Sequence, residues 1–308
     1  MKQLKYHILG ASGHIGSKLI RNISKLNSSD ITINCVDDMR TQRFCSYFNL
    51  PKEYNYNHYF CSADDYINSS TFEDDDIIIN LAAITDAESS VGNDDIVRKN
   101  NLGIVKSIVN NPKLKNIRKI FFSSTSVYGS QEEVVDETCS ELVPQSPYAS
   151  SKIEEEEVIL NSESSNYVVF RFGTIFGYAP GIRFHTAVNK FCFQAAYNYP
   201  LTVWKSALNQ KRPYLDIDDA IGAINFFVEN GLDNQVYNVV THNLSVKNII
   251  DEIKKTIQNV HVDYVDSKIM NQLSYEVDDT KIRNKGFVSS GNLEDKIFET
   301  LQILSCQK

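Results

Sequence analysis

The chain has 308 residues, which at about 150 residues per domain predicts two units or one large α/β unit with an appended lobe. Hydrophobic residues make up 42% and charged ones 23%, with only 13 Gly and 7 Pro, so a wholly disordered, collagen-like or low-complexity chain is excluded. The 31 Lys+Arg against 39 Asp+Glu give a net charge of -8, a poor balance for non-specific capture of nucleic acid or an anionic membrane, which needs clustered cations.

The first 180 or so residues alternate short apolar runs with helical spacing. Tyr6-His7-Ile8-Leu9 is closed by a Gly-rich turn, and a helix is predicted over Ser17 to Leu26. Ile31 to Val36 ends at Asp37-Asp38, and Ile77 to Leu81 follows the acidic run Glu73 to Asp76. Helical spacing covers Ile96 to Val109. Ile120-Phe121-Phe122 then leads into Ser123-Ser124-Thr125, a second helix covers Ser151 to Leu160, and Tyr167 to Phe172 follows. Apolar runs of this length, bounded by turns and separated by helices, predict strands buried on both faces of a doubly wound parallel sheet. Beyond residue 180 the alternation loosens. Helices are predicted over Ile182 to Tyr197, Ala220 to Glu229 and Ser245 to Gln258, with a strand over Val236 to Val240. The fold class expected is α/β, a Rossmann sheet over 1–180 with a smaller C-terminal substrate-binding lobe over 181–308, part of which returns to the sheet.

The six cysteines form no Cys-x-x-Cys pair, which predicts reduced thiols and a cytoplasmic protein. The six histidines show no ligand spacing, so no metal site is expected. Polar residues interrupt every apolar run, so neither a signal peptide nor a membrane span is predicted.

Gly10-Ala11-Ser12-Gly13-His14-Ile15-Gly16 lies between a predicted strand and a predicted helix. Glycines there let the backbone turn sharply and approach a pyrophosphate. Gly10, Ser12, Gly13, His14, Ile15 and Gly16 are therefore candidate dinucleotide contacts. Asp37 ends the second strand, where a carboxylate accepts from ribose hydroxyls and repels a 2′-phosphate. NAD is expected over NADP, with nearby Arg40 the argument for the reverse.

Two Tyr-x-x-x-Lys matches occur, Tyr148/Lys152 and Tyr264/Lys268. Tyr148 follows Ser146-Pro147 and opens a helix on which Lys152 shares its face, whereas Tyr264 has neither a serine-bearing strand before it nor a clear helix after it and is read as coincidence. A phenol ionises near pH 10, and a neighbouring ammonium favours phenolate. Tyr148 is thus a candidate base, Lys152 its electrostatic partner, and a serine the group that orients the substrate oxygen. The acidic run Glu154 to Glu157 reads as a solvated helix face.

The glycine spacing, the serine-bearing strand and Tyr148/Lys152 resemble the extended short-chain dehydrogenase/reductase superfamily. Within it they resemble the NAD-dependent nucleotide-sugar epimerase/dehydratase family, over roughly residues 5 to 300. The resemblance implies an NAD-dependent enzyme acting on a nucleotide-diphosphate sugar, with catalytic Tyr148, Lys152 and Ser124. It places Leu81, Ala82, Ala83 and Asn100 on the cofactor side with Tyr148 and Lys152. Thr125, expected to face the sugar, joins Ser126, Thr174, Asn189 and Arg212 on the substrate side, with Arg212 on the diphosphate. Related dehydratases carry Asp-Glu directly after the catalytic Thr, where this chain has Thr125-Ser126. The resemblance therefore implies a 4-epimerase working through a 4-keto intermediate. The alternatives are a keto-reductase, a 4,6-dehydratase, a decarboxylase or a non-catalytic NAD-binding regulator. A homodimer through the helices 96–109 and 151–160 is also implied, with Ile104, Ile108 and Ile153 on their outer faces.

Overall fold

In the computed structural model, which describes residues 4–26, 30–85, 94–266 and 274–305, the chain begins with β1 (Leu4–Leu9), the glycine turn and α1 (His14–Leu19). Next come β2 (Ile31–Val36), β3 (Asn55–Tyr59), α2 (Ala63–Ser69), β4 (Ile77–Asn80), α3 (Asp94–Val109), β5 (Arg118–Ser124), α4 (Pro147–Leu160) and β6 (Tyr167–Phe172). The remainder comprises β7 (Thr174–Phe176), α5 (Ala187–Ala196), β8 (Leu201–Trp204), β9 (Lys211–Asp216), α6 (Ile217–Asn230), β10 (Gln235–Val239) and β11 (His242–Ser245). It closes with α7 (Val246–Thr256), β12 (Val262–Val265), α8 (Thr280–Lys285) and α9 (Leu293–Leu304).

Seven strands form one sheet in the order β10-β6-β5-β4-β1-β2-β3, every pairing parallel. Its order reverses between β1 and β4, the switch point at which such sheets open a crevice at their carboxyl ends. One face packs Leu19 of α1, Ile221, Ile224 and Phe227 of α6 and Ile282 of α8 against the strands. The other packs Ile67 of α2, Val105 and Ile108 of α3 and Ile159 of α4. Central strands are therefore covered on both sides: every residue of β2 and β6 is buried. A three-stranded sheet (β11-β9-β7) and a two-stranded one (β12-β8) accompany a third core built from α5, α7 and α9.

The parallel sheet expected from the apolar runs is the one observed. Ser245 caps α7 with a reciprocal capping box through Asn248, as its position predicts. Other expectations shift. The first helix starts at His14 and ends at Leu19 rather than running to Leu26, which takes a positive φ of 40°. The helix expected over 182–197 starts only at Ala187, and residues 182–186 form an irregular approach to it. Ile104 and Ile108 are 6% and 1% exposed and Ile153 is partly buried, so these three residues pack within the protomer and do not form the outward strip expected. Among the described residues no helix is long and apolar enough to cross a membrane.

Candidate active site at the carboxyl edge of the sheet

The glycine turn and the loop after β4 are built around close backbone approach. Gly10 has φ 83°, and a Cβ there would meet Leu81 O and Ala82 N at 2.8 Å. A Cβ on Gly16 would meet Gly10 O at 2.4 Å. Gly13 N donates to Gly10 O (3.1 Å), and Leu81 N donates to Leu9 O (2.8 Å). Gly10, Ser12, Gly13, Gly16, Leu81, Ala82 and Ala83 thus gather at the switch point, with Ile15 packed partly into the core. Asp37 fixes this loop from β2, accepting from Ser12 N (3.0 Å) and Met39 N (2.9 Å). A carboxylate has about four acceptor sites, which leaves room for ribose hydroxyls. Arg40 turns to Asp38 instead (2.6 Å), and Arg43 is the cation that feels the charge of Asp37.

The donor set fits a dinucleotide. The cradle admits only glycine where the backbone must be bare, and the Ser12 hydroxyl is buried without a hydrogen-bond partner among the described residues. Asp64 Oδ1 is likewise buried and unpartnered beside Gly103 of α3, while Asp65 is used up in the Ser62 cap of α2. The side chain of His14 is engaged within the fold. It is buried, and its Nε2–H donates to Gly177 O (2.8 Å), which ties the connection after β7 to the glycine turn. Burial holds its pKa down at about 4, with the fields of Arg183, Arg43 and His185 adding to the effect. The same connection is strapped by Gly181 N donating to Ser17 Oγ (2.8 Å), and a Cβ on Gly181 would meet Ser12 O at 2.4 Å.

Asn101, 1% exposed, clasps the loop after β4: Ile84 N donates to its Oδ1 (2.8 Å) and its Nδ2 donates to Ile84 O (3.1 Å). Asn100, the residue singled out from sequence, hydrogen-bonds Asn101 (3.0 Å) and so supports that clasp.

Across the crevice, β5 delivers Ser124 and α4 delivers Tyr148 and Lys152. Pro147 opens α4 and Ser146 caps it, accepting from Ala149 N (3.1 Å), so Tyr148 stands in the first turn. Ser126 Oγ donates to Ser124 Oγ (2.9 Å), and the Ser124 hydroxyl acts on Tyr148 to lower its pKa. Lys152 Nζ lies 5.7 Å from the centre of the Tyr148 ring. Burial raises the Tyr148 pKa, opposed by Lys152 and by the Ser124 hydroxyl and reinforced by Glu155. Burial lowers that of Lys152, but Glu155, Tyr148 and Glu156 outweigh it and the net direction is upward.

The acidic run after Lys152 is a solvated face only at Glu154 and Glu157. Glu155 and Glu156 are each 4% exposed. Glu155 Oε2 accepts from Lys152 Nζ (2.7 Å), and Glu156 forks onto Arg171 of β6 (2.6 Å and 2.9 Å). Arg171 also donates to Tyr128 Oη (2.9 Å), which donates to Asn238 Oδ1 (2.9 Å). A buried cation demands a buried anion, and periodicity alone did not show that these glutamates answer Lys152 and Arg171.

The substrate-side candidates divide. Thr125 turns inward: it is 1% exposed, and its hydroxyl meets Phe172 O (3.3 Å) and Tyr275 Oη (3.4 Å). Ser126, partly buried, takes the place beside Ser124. Thr174 starts β7 opposite Tyr214 of β9 and is partly buried. Asn189 is fully buried and pins the loop before it, accepting from Gly177 N (3.1 Å) and donating to Arg183 O (3.1 Å). Tyr275 N donates to Lys211 O (3.0 Å) and its hydroxyl meets Thr125, which brings the returning chain between β9 and the end of β5; Arg212 and Tyr148 both act on its phenol. Arg183, whose guanidinium bonds Thr85 Oγ1, acts on both His14 and Tyr148, and sequence reasoning missed it. Tyr264 is half exposed on the small β12-β8 sheet, and Lys268 lies outside the described residues.

The NAD dependent epimerase/dehydratase family matches residues 6–240. A trifunctional UDP-glucose 4,6-dehydratase/UDP-4-keto-6-deoxy-D-glucose 3,5-epimerase/UDP-4-keto-L-rhamnose-reductase of Arabidopsis thaliana is 26% identical over 96% of this chain, which spans 46% of that protein. The ADP-L-glycero-D-manno-heptose-6-epimerase of Brachyspira hyodysenteriae is 25% identical over 84% of this chain and 83% of its own length. Among solved structures, UDP-glucuronic acid 4-epimerase from Bacillus cereus, in complex with UDP-glucuronic acid and NAD, superposes with a TM-score of 0.83 at 21% identity, covering 98% of this chain and 99% of that one. That likeness is one of fold.

Proposed function

Because the chain belongs to the NAD dependent epimerase/dehydratase family, we propose that it is a nucleotide-sugar 4-epimerase that passes through a 4-keto sugar. The observation that carries this reading is the Ser126–Ser124 hydroxyl pair at the end of β5, facing Tyr148 and Lys152 of α4, with no carboxylate beside it on the strand of origin. NAD, when bound, supplies the hydride acceptor and returns the hydride. Tyr148 takes the proton of the sugar 4-hydroxyl and later gives it back, and Ser124 orients that oxygen. Lys152 stabilises the phenolate through its charge. Elimination of water across C5 and C6 needs a further acid and base, and Thr125-Ser126 supply none, which favours epimerisation over dehydration.

In this reading the diphosphate lies against Arg212, whose forked donors suit it. Asn189 serves by holding its loop, and Ser126 and Thr174 leave a small, polar wall against which the keto sugar can turn. Thr125 acts from behind Ser124 instead of touching the sugar. The protein works as a soluble cytoplasmic homodimer, whose mass light scattering measures; a monomer at micromolar concentration removes that part.

A panel of nucleotide sugars, followed by chromatography of the products, tests the activity. An epimer should form with no net NADH and with a C4 label retained on C4. A 6-deoxy-4-keto product makes the enzyme a dehydratase. A stoichiometric demand for reduced cofactor makes it a reductase, and no turnover with intact NAD binding makes it a regulator.

A further inference from the structure

Tyr148, Lys152 and Glu155 stand at i, i+4 and i+7 on α4, so they share one helix face. Lys152 and Glu155 are among the most deeply buried charges of the described chain, with side chains 6% exposed each and 2.7 Å between Nζ and Oε2. An ammonium in that position without its carboxylate would carry its whole charge onto the Tyr148 ring 5.7 Å away. We infer that Glu155 is a positioning residue for the catalytic pair: it fixes the Lys152 ammonium against Tyr148 and cancels part of its charge there. The inference rests on the proposed role of Tyr148 as the proton acceptor.

The groups around the phenol define the expected sign. From its own helix come Lys152 and Glu155, and from the end of β5 comes Ser124. Arg183 acts from the connection after β7, and Tyr275 from the returning chain. Glu156 lies next to Lys152 but is engaged by Arg171 of β6. On the α3 side, Arg98 is paired with Glu154 at 2.6 Å. Two cations and one carboxylate thus act on Tyr148, and removing the carboxylate leaves two cations. Tyr148 therefore keeps its proton to a higher pH than it would beside a bare lysine.

Uniform 13Cζ-tyrosine labelling of the substrate-free protein reads this directly, with the Tyr148 resonance assigned by its loss in Tyr148→Phe. In Glu155→Gln the Tyr148 ionisation should move down by about one pH unit, the scale of one added neighbouring charge. At pH values below both midpoints, where Lys152 is still charged, the ionised fraction then rises by up to about tenfold over wild type, and the acid limb of the kcat/KM profile moves down by the same amount. An ionised fraction equal to or below that of wild type overturns the inference. If glutamine at 155 leaves the ammonium unpaired and the fold is lost, Glu155→Asp keeps the charge. Its Tyr148 resonance should titrate as in wild type, and a drop of a full unit with the carboxylate retained overturns the inference too. The titration needs no substrate, so a failure of the epimerase reading shows up separately, as a missing product in the wild-type assay.

Discussion

The two sides of the crevice are made of different materials. On the β1, β2 and β4 side, the contacts are backbone: bare glycines, N–H groups taken up by Asp37, and a loop clasped by Asn101. On the β5, β6 and α4 side they are side chains, and two buried ion pairs sit one residue apart, Lys152–Glu155 and Arg171–Glu156. A backbone cradle can hold a ligand whose shape is constant. Proton transfer needs charges whose balance can be set, and only side chains provide that. The adjacent glutamates show the division at its finest. Residues one apart on a helix point about 100° away from each other, so Glu155 meets the pair that handles the proton, while Glu156 staples the helix to the sheet.

The largest expected effect lies on the side-chain flank. Arg171→Met strands Glu156 in the core and should cost about 3–5 kcal/mol of stability; a denaturation midpoint close to wild type would erase the distinction between the two pairs. Tyr148→Phe should leave the fold intact and lower turnover by about 100-fold or more. Equal turnover in that variant removes the catalytic assignment altogether.

The backbone flank should respond more gently, and to pH. His14 titrates at about 4 in the fold, below the ordinary value of about 6.5. A histidine depressed in this way contributes stability that is present above its unfolded value and is lost as the pH falls toward the folded one. Between pH 7 and pH 5 its contribution to that loss should be about 2 kcal/mol, read as the part of the change in chemical denaturation that His14→Phe abolishes. A slope unaltered in the variant would show that His14 is indifferent to its burial. Asp37→Ala should relax the preference for NAD over NADP by about tenfold; a wild type that already binds NADP more tightly would transfer the specificity to Arg43. Tyr264→Phe should change stability by less than about 0.5 kcal/mol and turnover not at all, as expected for an exposed residue away from such features.

The same contrast governs what the amino-acid order reveals. The glycine turn is legible because only glycine survives the 2.4 Å and 2.8 Å approaches that the backbone makes there. The strands β1, β2, β4, β5 and β6 are legible because burial on both faces favours short runs dominated by apolar residues. β3 is not, since Asn55-Tyr56-Asn57-His58-Tyr59 is a polar edge strand that exists by pairing with β2. Tyr148 and Lys152 announce themselves by spacing, yet Glu155 and Glu156 look like any acidic helix surface until their partners are placed in space. Arg183 was hidden for the opposite reason. Its loop carries apolar residues at helical intervals, but His14 and Ser17 hold that backbone in place before α5 begins.

The order of strands in the large sheet also has a consequence for how the chain is made. β6, with the sequence Tyr-Val-Val-Phe-Arg-Phe, pairs with β5 on one side and with β10 on the other. Its second partner begins only at Gln235, after β7, α5, β8, β9 and α6 have been synthesised. At translation rates of about 5–20 residues per second, this apolar strand waits several seconds at the ribosome with one edge unpaired. An open, hydrophobic edge is a template for joining other chains. Fragments ending before residue 235 should therefore collect in inclusion bodies, whereas chains that reach Val239 close the edge themselves.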